Sequence, residues 1–403
     1  MGERTERGLG AGWIIAIYCA LKPVYLFSSG TMQLCDYFLV LALPLLAAHQ
    51  HLRLPIPFGC GSFLKLFAII LVYQTAVNTA WYMAVRDPRM LISNLYYVFN
   101  FLSLYTTLWI YLLAGLERTI RGLTLGCFLG VLIAGIGAFA SSGVGSRNMA
   151  LFNNPNQLGY FGVIALTVLA CFPKAFSRRQ RVIVVVLSAW LVIVSASKAA
   201  FLGMAGLAAA YSIFAGERKS VSALLRRIFL LLILFTIFYL FFYSENSIIT
   251  GNRSIMFLRR RIFRMSTESD SGLEEGRGYG RILETGVHFL WGMGEGGYSR
   301  FAALTGKEAH STYVNLIVSY GWLGFAAYSF FFSRIIRGKD GVTRRNLACL
   351  SGLLLYFITH NGVRNTLFWI LLGTLLAVQL EKKKTEHTLE TVEMASGKVR
   401  QRS

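Results

Sequence analysis

The sequence is poor in the residues that build metal centres and covalent cross-links. Aspartate occurs only four times in 403 residues, and acidic residues number 19 in total. No Asp-x-Asp pair and no His or carboxylate cluster has the spacing of metal ligands, so we predict that the protein needs no metal and no other cofactor. The six cysteines have no close spacing, which argues against a zinc site and against a disulfide framework.

Long hydrophobic runs, by contrast, are abundant. The chain is 55% hydrophobic, its mean hydropathy is +0.54, and apolar runs of roughly 20 residues recur from end to end. This pattern predicts an all-α polytopic integral membrane protein with about 12 transmembrane helices. The first run lacks a small-residue cleavage site, so we interpret it as a membrane span and not as a signal peptide. The predicted spans are 11–28, 36–49, 63–83, 91–113, 120–140, 157–173, 181–197, 199–215, 225–243, 312–333, 346–360 and 364–380.

Basic residues outnumber acidic ones by 40 to 19, which gives a net charge of +21. In a soluble protein this excess would indicate nucleic acid, but in a membrane protein it is typical of cytoplasmic loops, so we predict no nucleic-acid partner. The distribution of Lys and Arg places both termini in the cytoplasm and the long polar loop on the outer side. We therefore divide the chain into helices 1–9 over residues 1–243, an outer loop or cap over 244–311, helices 10–12 over 312–380, and a disordered cytoplasmic tail over 381–403.

Several cations lie on the outer side, against this bias. Arg86, Arg147 and Lys198 lie on short outer turns, and Arg277 and Arg281 lie in the long loop. A single one would be explained as an interfacial side chain that reaches toward water. Together they indicate an anionic ligand such as a lipid-linked phosphate, because Arg binds phosphate oxygens through paired hydrogen bonds and Lys acts as a point charge. The other cations on short outer turns are Arg89 and Arg364.

His310 is the strongest candidate for a catalytic residue. It precedes Ser311 at a predicted helix start on the outer side, at the mouth of the cationic cluster. Imidazole titrates near neutral pH and can accept a proton from a hydroxyl nucleophile. His360 ends a predicted span on the same side and is the second candidate, whereas we interpret His288 as a packed surface histidine. The Asn-rich segment 153–157 either binds sugar hydroxyls or caps a helix.

The residues after His310 form a recognisable pattern. His310-Ser311 is followed by nine residues, then Gly321, two residues and Gly324. This resembles the signature of the bacterial O-antigen ligases, which is His, then Asn, Ser or Gln, nine residues, Gly, two residues and a small residue. The segment 198–202 resembles a second pattern of that family, Arg, three residues and Leu, with Lys198 in place of Arg. The stretch from 276 to 294 also resembles the approach to the family's histidine.

The resemblance implies a GT-C-like fold in the bacterial inner membrane, with the large loop between helices 9 and 10 and the active site on the periplasmic side. It implies transfer of O-antigen from undecaprenyl diphosphate to a sugar hydroxyl of lipid A–core, with inversion and without a metal. The surrounding membrane lipids are the remaining partners. In this interpretation His310 is the general base, and the diphosphate is bound by Arg86, Arg147, Lys198, Arg277 and Arg281.

Three other interpretations stay open. An O-antigen polymerase would join two lipid-linked repeat units with the same kind of cations. A protein O-oligosaccharyltransferase would use a Ser or Thr hydroxyl as acceptor. A transporter for anionic lipids or sugars also has many spans, but the sequence shows no internal repeat, and the charged positions cluster at one membrane face and not at the midplane.

Overall fold

The computed structural model describes residues 10–28, 30–49, 56, 59–141, 147–214, 253–263, 277–296, 309–337 and 342–395, and single residues at 232, 236, 239 and 243. The ninth predicted span, 225–243, therefore lies almost wholly outside the described residues. Each of the other predicted spans overlaps a helix, although the first, 11–28, is helical only over Ala11–Leu21. Within the described part of the chain all regular secondary structure is helical, which confirms the all-α prediction at that level.

The longer helices, in chain order, are α1 (Ala11–Leu21), α2 (Leu34–His49), α3 (Gly61–Val85), α4 (Arg89–Ala114), α5 (Leu116–Ala140), α6 (Pro155–Cys171), α7 (Arg178–Ser195), α8 (Lys198–Phe214), α9 (Arg253–Phe263), α10 (Arg281–Glu284), α11 (Thr312–Ile336), α12 (Val342–Phe357) and α13 (Thr366–Ala395). Single 3₁₀ turns occupy Pro173–Ala175, Gly286–His288 and Gly362–Arg364.

Four of the described helices are long and apolar enough to cross a membrane. They are α3, α4, α5 and α11, which have 25, 26, 25 and 25 residues. At a rise of about 1.5 Å per residue, such lengths exceed the roughly 30 Å hydrocarbon core of a bilayer. The helices α1, α2, α6 and α8 are apolar but shorter. The chain is therefore a membrane-embedded helical protein.

Hydrogen bonds between connecting turns bring several helix ends together at one face of the bundle. We name the face where α11 begins the His310 face. The turn after α5 and the end of α7 meet there, since the Asn148 N–H donates to the Val194 carbonyl at 3.0 Å. The start of α6 meets the turn after α12 at the same face, where the Tyr160 hydroxyl donates to the Gly362 carbonyl at 3.0 Å. We name the other end of the bundle the opposite face.

Small residues allow a close helix contact between α8 and α12. A side chain added at Gly203 would lie 2.7 Å from the Gly352 carbonyl, and one added at Gly352 would lie 2.6 Å from the Gly203 carbonyl. The two backbones touch because neither residue has a Cβ atom. Larger side chains fill the centre of the bundle, where the rings of Phe67 and Trp369 stack with centroids 4.7 Å apart.

The prediction of a disordered tail from Glu381 is wrong for the described residues. Helix α13 runs without interruption to Ala395. Its polar half consists largely of good helix formers, and Lys382 and Glu386 are spaced four residues apart, which stabilises an exposed helix. The Tyr111 hydroxyl also donates to Glu381 Oε2 at 2.6 Å and fixes the junction to α4. The absence of apolar periodicity misled the prediction, because a solvent-exposed helix does not need it.

Helix α11 is broken at Gly321, where the backbone leaves the helical region with φ 66° and ψ −176°. The segment that contains Leu290 and Gly292 runs against this break. The Met293 N–H donates to the Val318 carbonyl at 2.9 Å, and the Trp322 N–H donates to the Phe289 carbonyl at 2.9 Å. The loop thus satisfies backbone groups that the broken helix cannot pair internally. Gly321 lies eleven residues after His310, so the loop reaches well below the level of the helix start.

Candidate functional site

The position of His310 is fixed by the two residues that follow it. The Ser311 hydroxyl caps α11 by accepting from the Val314 N–H at 3.4 Å, and it lies 3.2 Å from the Phe357 carbonyl, to which it can donate. The Thr312 hydroxyl donates to the His360 carbonyl at 3.0 Å. The start of α11 is thereby attached to the end of α12, while the His310 side chain itself is exposed. A base in this position is accessible to an incoming hydroxyl group.

His360 lies beside His310, in the turn after α12 and outside that helix. Its Nδ1 is 3.1 Å from the Thr359 hydroxyl, and its ring packs on that of Tyr356 with centroids 4.8 Å apart. Burial is the main cause that lowers the pKa of His360 well below its ordinary value. The charges of Arg277 and His310 lower this pKa further, followed by those of Arg147 and Arg261.

These electrostatic interactions identify the cations that gather near His310. Arg147 lies near the end of α12, because it donates to the side chain of Asn156, whose carbonyl accepts from the Tyr356 hydroxyl at 3.2 Å. The charges of Arg147 and Arg277 also act on His360 and Tyr356. Arg277 comes two residues before Tyr279, whose hydroxyl donates to the Ile358 carbonyl at 2.8 Å and holds the loop there. The structure therefore brings together three of the residues singled out from the sequence: His310, Arg147 and Arg277.

Arg147 is held by the turns around it. Its Nε donates to the Ser195 carbonyl at 3.1 Å, and its Nη2 donates to the side-chain oxygen of Asn156. Asn154, in the same Asn-rich segment, caps α6 by accepting from the Asn156 N–H at 2.8 Å. The capping alternative is thus confirmed for Asn154. Lys198 begins α8 just after Ser195 and is half-buried, so it belongs to the turn that binds Arg147.

The two remaining predicted diphosphate contacts are placed differently: Arg86 lies on a separate turn, and Arg281 is buried near Ala309. Arg86 is exposed and ends α3 in a left-handed conformation with φ 61°, where its N–H donates to the Tyr82 carbonyl at 2.7 Å. Its turn adjoins the loop at Gly296, where an added Cβ would lie 2.6 Å from the Arg89 carbonyl. Arg281 belongs to the short α10 and is only 1% exposed. In this conformation its guanidinium is covered by protein.

A buried carboxylate that sequence reasoning passed over organises the loop. Glu295 is 0% exposed, forms an ion pair with Arg364, and accepts from the Tyr320 hydroxyl at 2.6 Å. The amide of Asn315 also donates to Glu295 Oε1, at 2.8 Å, and the Glu295 N–H donates to Asn78 Oδ1 at 2.8 Å. This network, which we name the Glu295 network, joins the loop to α3, α11 and the turn before α13. The only sequence feature that could have indicated this role is that Glu295 is a lone carboxylate between Gly294 and Gly296.

The Glu295 network also accounts for one outer cation. Arg364, which sequence analysis grouped with the other outer cations, pairs with Glu295, and its guanidinium lies 5.2 Å from the centre of the Tyr96 ring. Its charge serves the architecture of the protein and is compensated there. His288, in contrast, behaves as predicted. Its ring packs edge-on against Trp81, with centroids 5.0 Å apart.

A second buried ion pair supports the same face. Lys22 Nζ lies 3.3 Å from Asp36 Oδ1, and both side chains are less than a tenth exposed. The Tyr18 hydroxyl donates to Asp36 at 2.8 Å, and Lys22 donates to the Thr366 hydroxyl at 2.9 Å. The pair joins α1, α2 and α13 beside the turn that carries Arg364. Charged groups within membrane segments are paired in this way because an unpaired charge is costly there.

Metal ligation finds no support among the described residues, which contain no group of three His, Cys, Asp or Glu side chains placed to hold an ion. Metal independence remains a prediction for experiment. The chain was also compared with known proteins. No protein-family model matches it, and no curated protein matches it, so the family resemblance rests on the sequence motifs and remains a prediction.

Proposed function

We propose that this protein is a glycosyltransferase that moves a glycan from a polyprenyl diphosphate carrier to a hydroxyl acceptor. The donor in this proposal is undecaprenyl diphosphate carrying O-antigen, and the acceptor is a sugar hydroxyl of lipid A–core. One observation carries the proposal: the exposed His310 imidazole shares the end of α12 with Arg147 and Arg277. A base beside fixed cations is what transfer from a diphosphate requires.

In the proposed reaction, His310 accepts the proton of the acceptor hydroxyl. The acceptor oxygen then forms the new bond to the anomeric carbon, while the bond from that carbon to the diphosphate oxygen breaks. Attack from the face opposite the leaving group inverts the anomeric configuration. The diphosphate leaves with its electron pair as an anion, and positive side chains stabilise the charge that develops on it. A diphosphate leaves without protonation, so no general acid is required.

The cations have unequal parts in this proposal. Arg147 and Arg277 are assigned to the leaving diphosphate because their charges reach the residues beside His310. Lys198 adds a point charge from the turn that binds Arg147. Arg86, on its separate exposed turn, is assigned to the more distant part of the donor. Arg281 is assigned a supporting role, since its side chain is buried under the loop.

Product analysis with purified protein tests this function. The assay contains undecaprenyl-diphosphate-linked O-antigen and lipid A–core, and the expected product is glycosylated lipid A–core with inverted linkage. Equal yields in EDTA and with added Mg²⁺ are expected, since cationic side chains carry the charge stabilisation. Longer chains on the carrier would instead indicate a polymerase, and glycosylated protein would indicate an oligosaccharyltransferase. Movement of intact donor across a vesicle membrane without any transfer would indicate a transporter.

A further inference from the structure

A cavity of about 900 Å³ lies at the opposite face, far along the bundle from His310. It is open to the surface and is bordered by the start of α5, the turn between α6 and α7, the end of α8 and the start of α12. Its volume lies within the range of small-molecule sites, about 300–1,000 Å³. The residues that define its chemistry are Arg121, Phe172, Lys174, Phe176, Tyr211 and Arg345.

The charge of the cavity lining is positive. Three cations line it, Arg121, Lys174 and Arg345, against a single carboxylate, that of Glu117. Glu117 pairs with Arg121 at 2.7 Å, and both side chains are largely exposed at the rim. Lys174 and Arg345 therefore supply the charge that the lining does not itself compensate. Such a lining favours an anion.

The cavity is built from fixed groups. Arg345 Nη2 donates to the Cys171 carbonyl at 2.7 Å, which holds the guanidinium against the α6–α7 turn. Ser177, which also lines the cavity, caps α7 through a reciprocal pair with Gln180. The amino end of an 18-residue helix thus adjoins the cations. Phe176 is 4% exposed and gives the cavity an apolar wall, which a free inorganic ion does not need.

We propose that this cavity binds the phosphate head group of an anionic phospholipid from the adjacent leaflet. In this proposal Lys174 and Arg345 bind the phosphate mono- or diester, and the glycerol and the first acyl carbons pack against the aromatic wall. Basic pockets between transmembrane helices on the cytoplasmic side are suited to such head groups. The cavity is much larger than a free phosphate needs, which favours the lipid over a soluble phosphate. The site is independent of the proposed transferase reaction.

The test compares two double variants of the full-length protein. Lys174→Gln/Arg345→Gln removes both cavity charges and keeps a polar side chain at each position. Arg179→Gln/Arg344→Gln removes two exposed cations from the same face, neither of which lines the cavity. Both variants lose the same net charge, so a general attraction of the basic face to anionic lipid changes equally in the two. Binding is measured by native mass spectrometry and thermal shift in detergent.

The probes are phosphatidylglycerol, phosphatidylcholine and inorganic phosphate. We expect the wild type and the Arg179/Arg344 variant to bind phosphatidylglycerol roughly 30-fold more tightly than the Lys174/Arg345 variant, since each basic residue near anionic lipid contributes roughly a fivefold change in affinity. Phosphatidylcholine should show no such difference. Equal losses in the two double variants would overturn the site. Inorganic phosphate that protects as well as phosphatidylglycerol would overturn the assignment to a lipid.

A folding control keeps this test decisive. Each variant is first required to be monodisperse and to melt cooperatively without lipid. If Lys174→Gln/Arg345→Gln fails that requirement, the single variant Lys174→Gln replaces it, because the Lys174 side chain is exposed. Arg179→Gln is then the matched control. The assay measures lipid binding and not transfer, so a negative result would not affect the proposed function. Failure of the transfer assay would likewise not affect the proposed lipid site.

Discussion

The backbones of Gly292 and Gly321 lie in direct contact at the break of α11. A Cβ atom at Gly292 would lie 2.4 Å from the Ser319 carbonyl oxygen, and one at Gly321 would lie 2.1 Å from the Leu290 carbonyl oxygen. Both residues also have positive φ, 83° and 66°. The Gly321 position of the His310 motif therefore has a physical reason: only glycine lets the loop cross the broken helix at this distance.

Gly321→Ala should destabilise the protein severely or prevent its folding. The methyl group would meet backbone atoms that cannot move aside, in addition to the strain of about 1–3 kcal/mol for a non-glycine residue at positive φ. The measurement is thermal unfolding of the purified protein in detergent. Gly286→Ala is the matched control, because Gly286 has φ 49° but nothing within 4 Å of an added Cβ. A loss of stability no larger than that of the control would contradict the backbone contact.

Glu295→Gln should cost about 3 kcal/mol of stability, because it leaves the Arg364 charge without its buried partner. The change preserves the shape of the side chain, so packing is not the cause. Glu117→Gln is the control, since Glu117 and Arg121 form an exposed ion pair that contributes about 1 kcal/mol or less. Denaturant unfolding measures both. Similar midpoints for the two variants would show that the Glu295 network does not hold the loop.

The helices could be predicted from the sequence, but the Glu295 network could not. Hydropathy located the helices because an apolar run can be recognised from its own residues, without knowledge of its tertiary contacts. Ser311 was recognised as a helix start from local pattern. The Glu295 network could not be predicted. Its partners come from Asn78, Asn315, Tyr320 and Arg364, which are far apart in the chain, and the sequence does not state which of them a lone carboxylate contacts.

The candidate site could be predicted only in part, because local motifs identify residues but not their burial or tertiary contacts. The motif identified His310, and outer turns identified Arg147, yet burial decides whether a cation can meet a ligand. Arg281 looked equivalent to Arg277 in the sequence, but it lies beneath the loop and is 1% exposed, whereas Arg277 is half-buried. The proximity of His360 to His310 depends on the attachment of α11 to the end of α12, a tertiary contact that local pattern does not encode.

Acid should destabilise the protein through His360. Its folded pKa is lowered well below the unfolded value of about 6.5, so at intermediate pH the unfolded chain binds a proton that the native protein does not. Stability is therefore fully present above about pH 6.5 and is lost as the pH falls toward the folded pKa. His360→Gln should lose less melting temperature than the wild type between about pH 7.5 and about pH 5.5. The control is His387→Gln, which replaces an exposed histidine and should lose as much melting temperature as the wild type. Identical dependence of melting temperature on pH for all three proteins would contradict the assignment to His360.

Arg147→Ala should lower the rate of transfer by about 10²-fold or more, as expected for a group that stabilises charge in the transition state. The effect should appear in kcat, with a smaller change in KM. Arg147→Lys should recover part of the rate, because it restores the charge but not the paired hydrogen bonds to Ser195 and Asn156. Arg178→Ala, on the opposite face, is the control. A change in KM alone would assign Arg147 to binding and not to the leaving group.

The most direct test of the account is the rate of glycan transfer by His310→Ala, measured with undecaprenyl-diphosphate-linked O-antigen and lipid A–core. His288→Ala is the matched control, since His288 lies in the same loop region but packs on Trp81. The account predicts a loss of at least about 10²-fold in kcat for His310→Ala, with an unchanged melting temperature, and near wild-type transfer by the control. Near wild-type transfer by a folded His310→Ala protein would contradict the assignment of His310 as the general base.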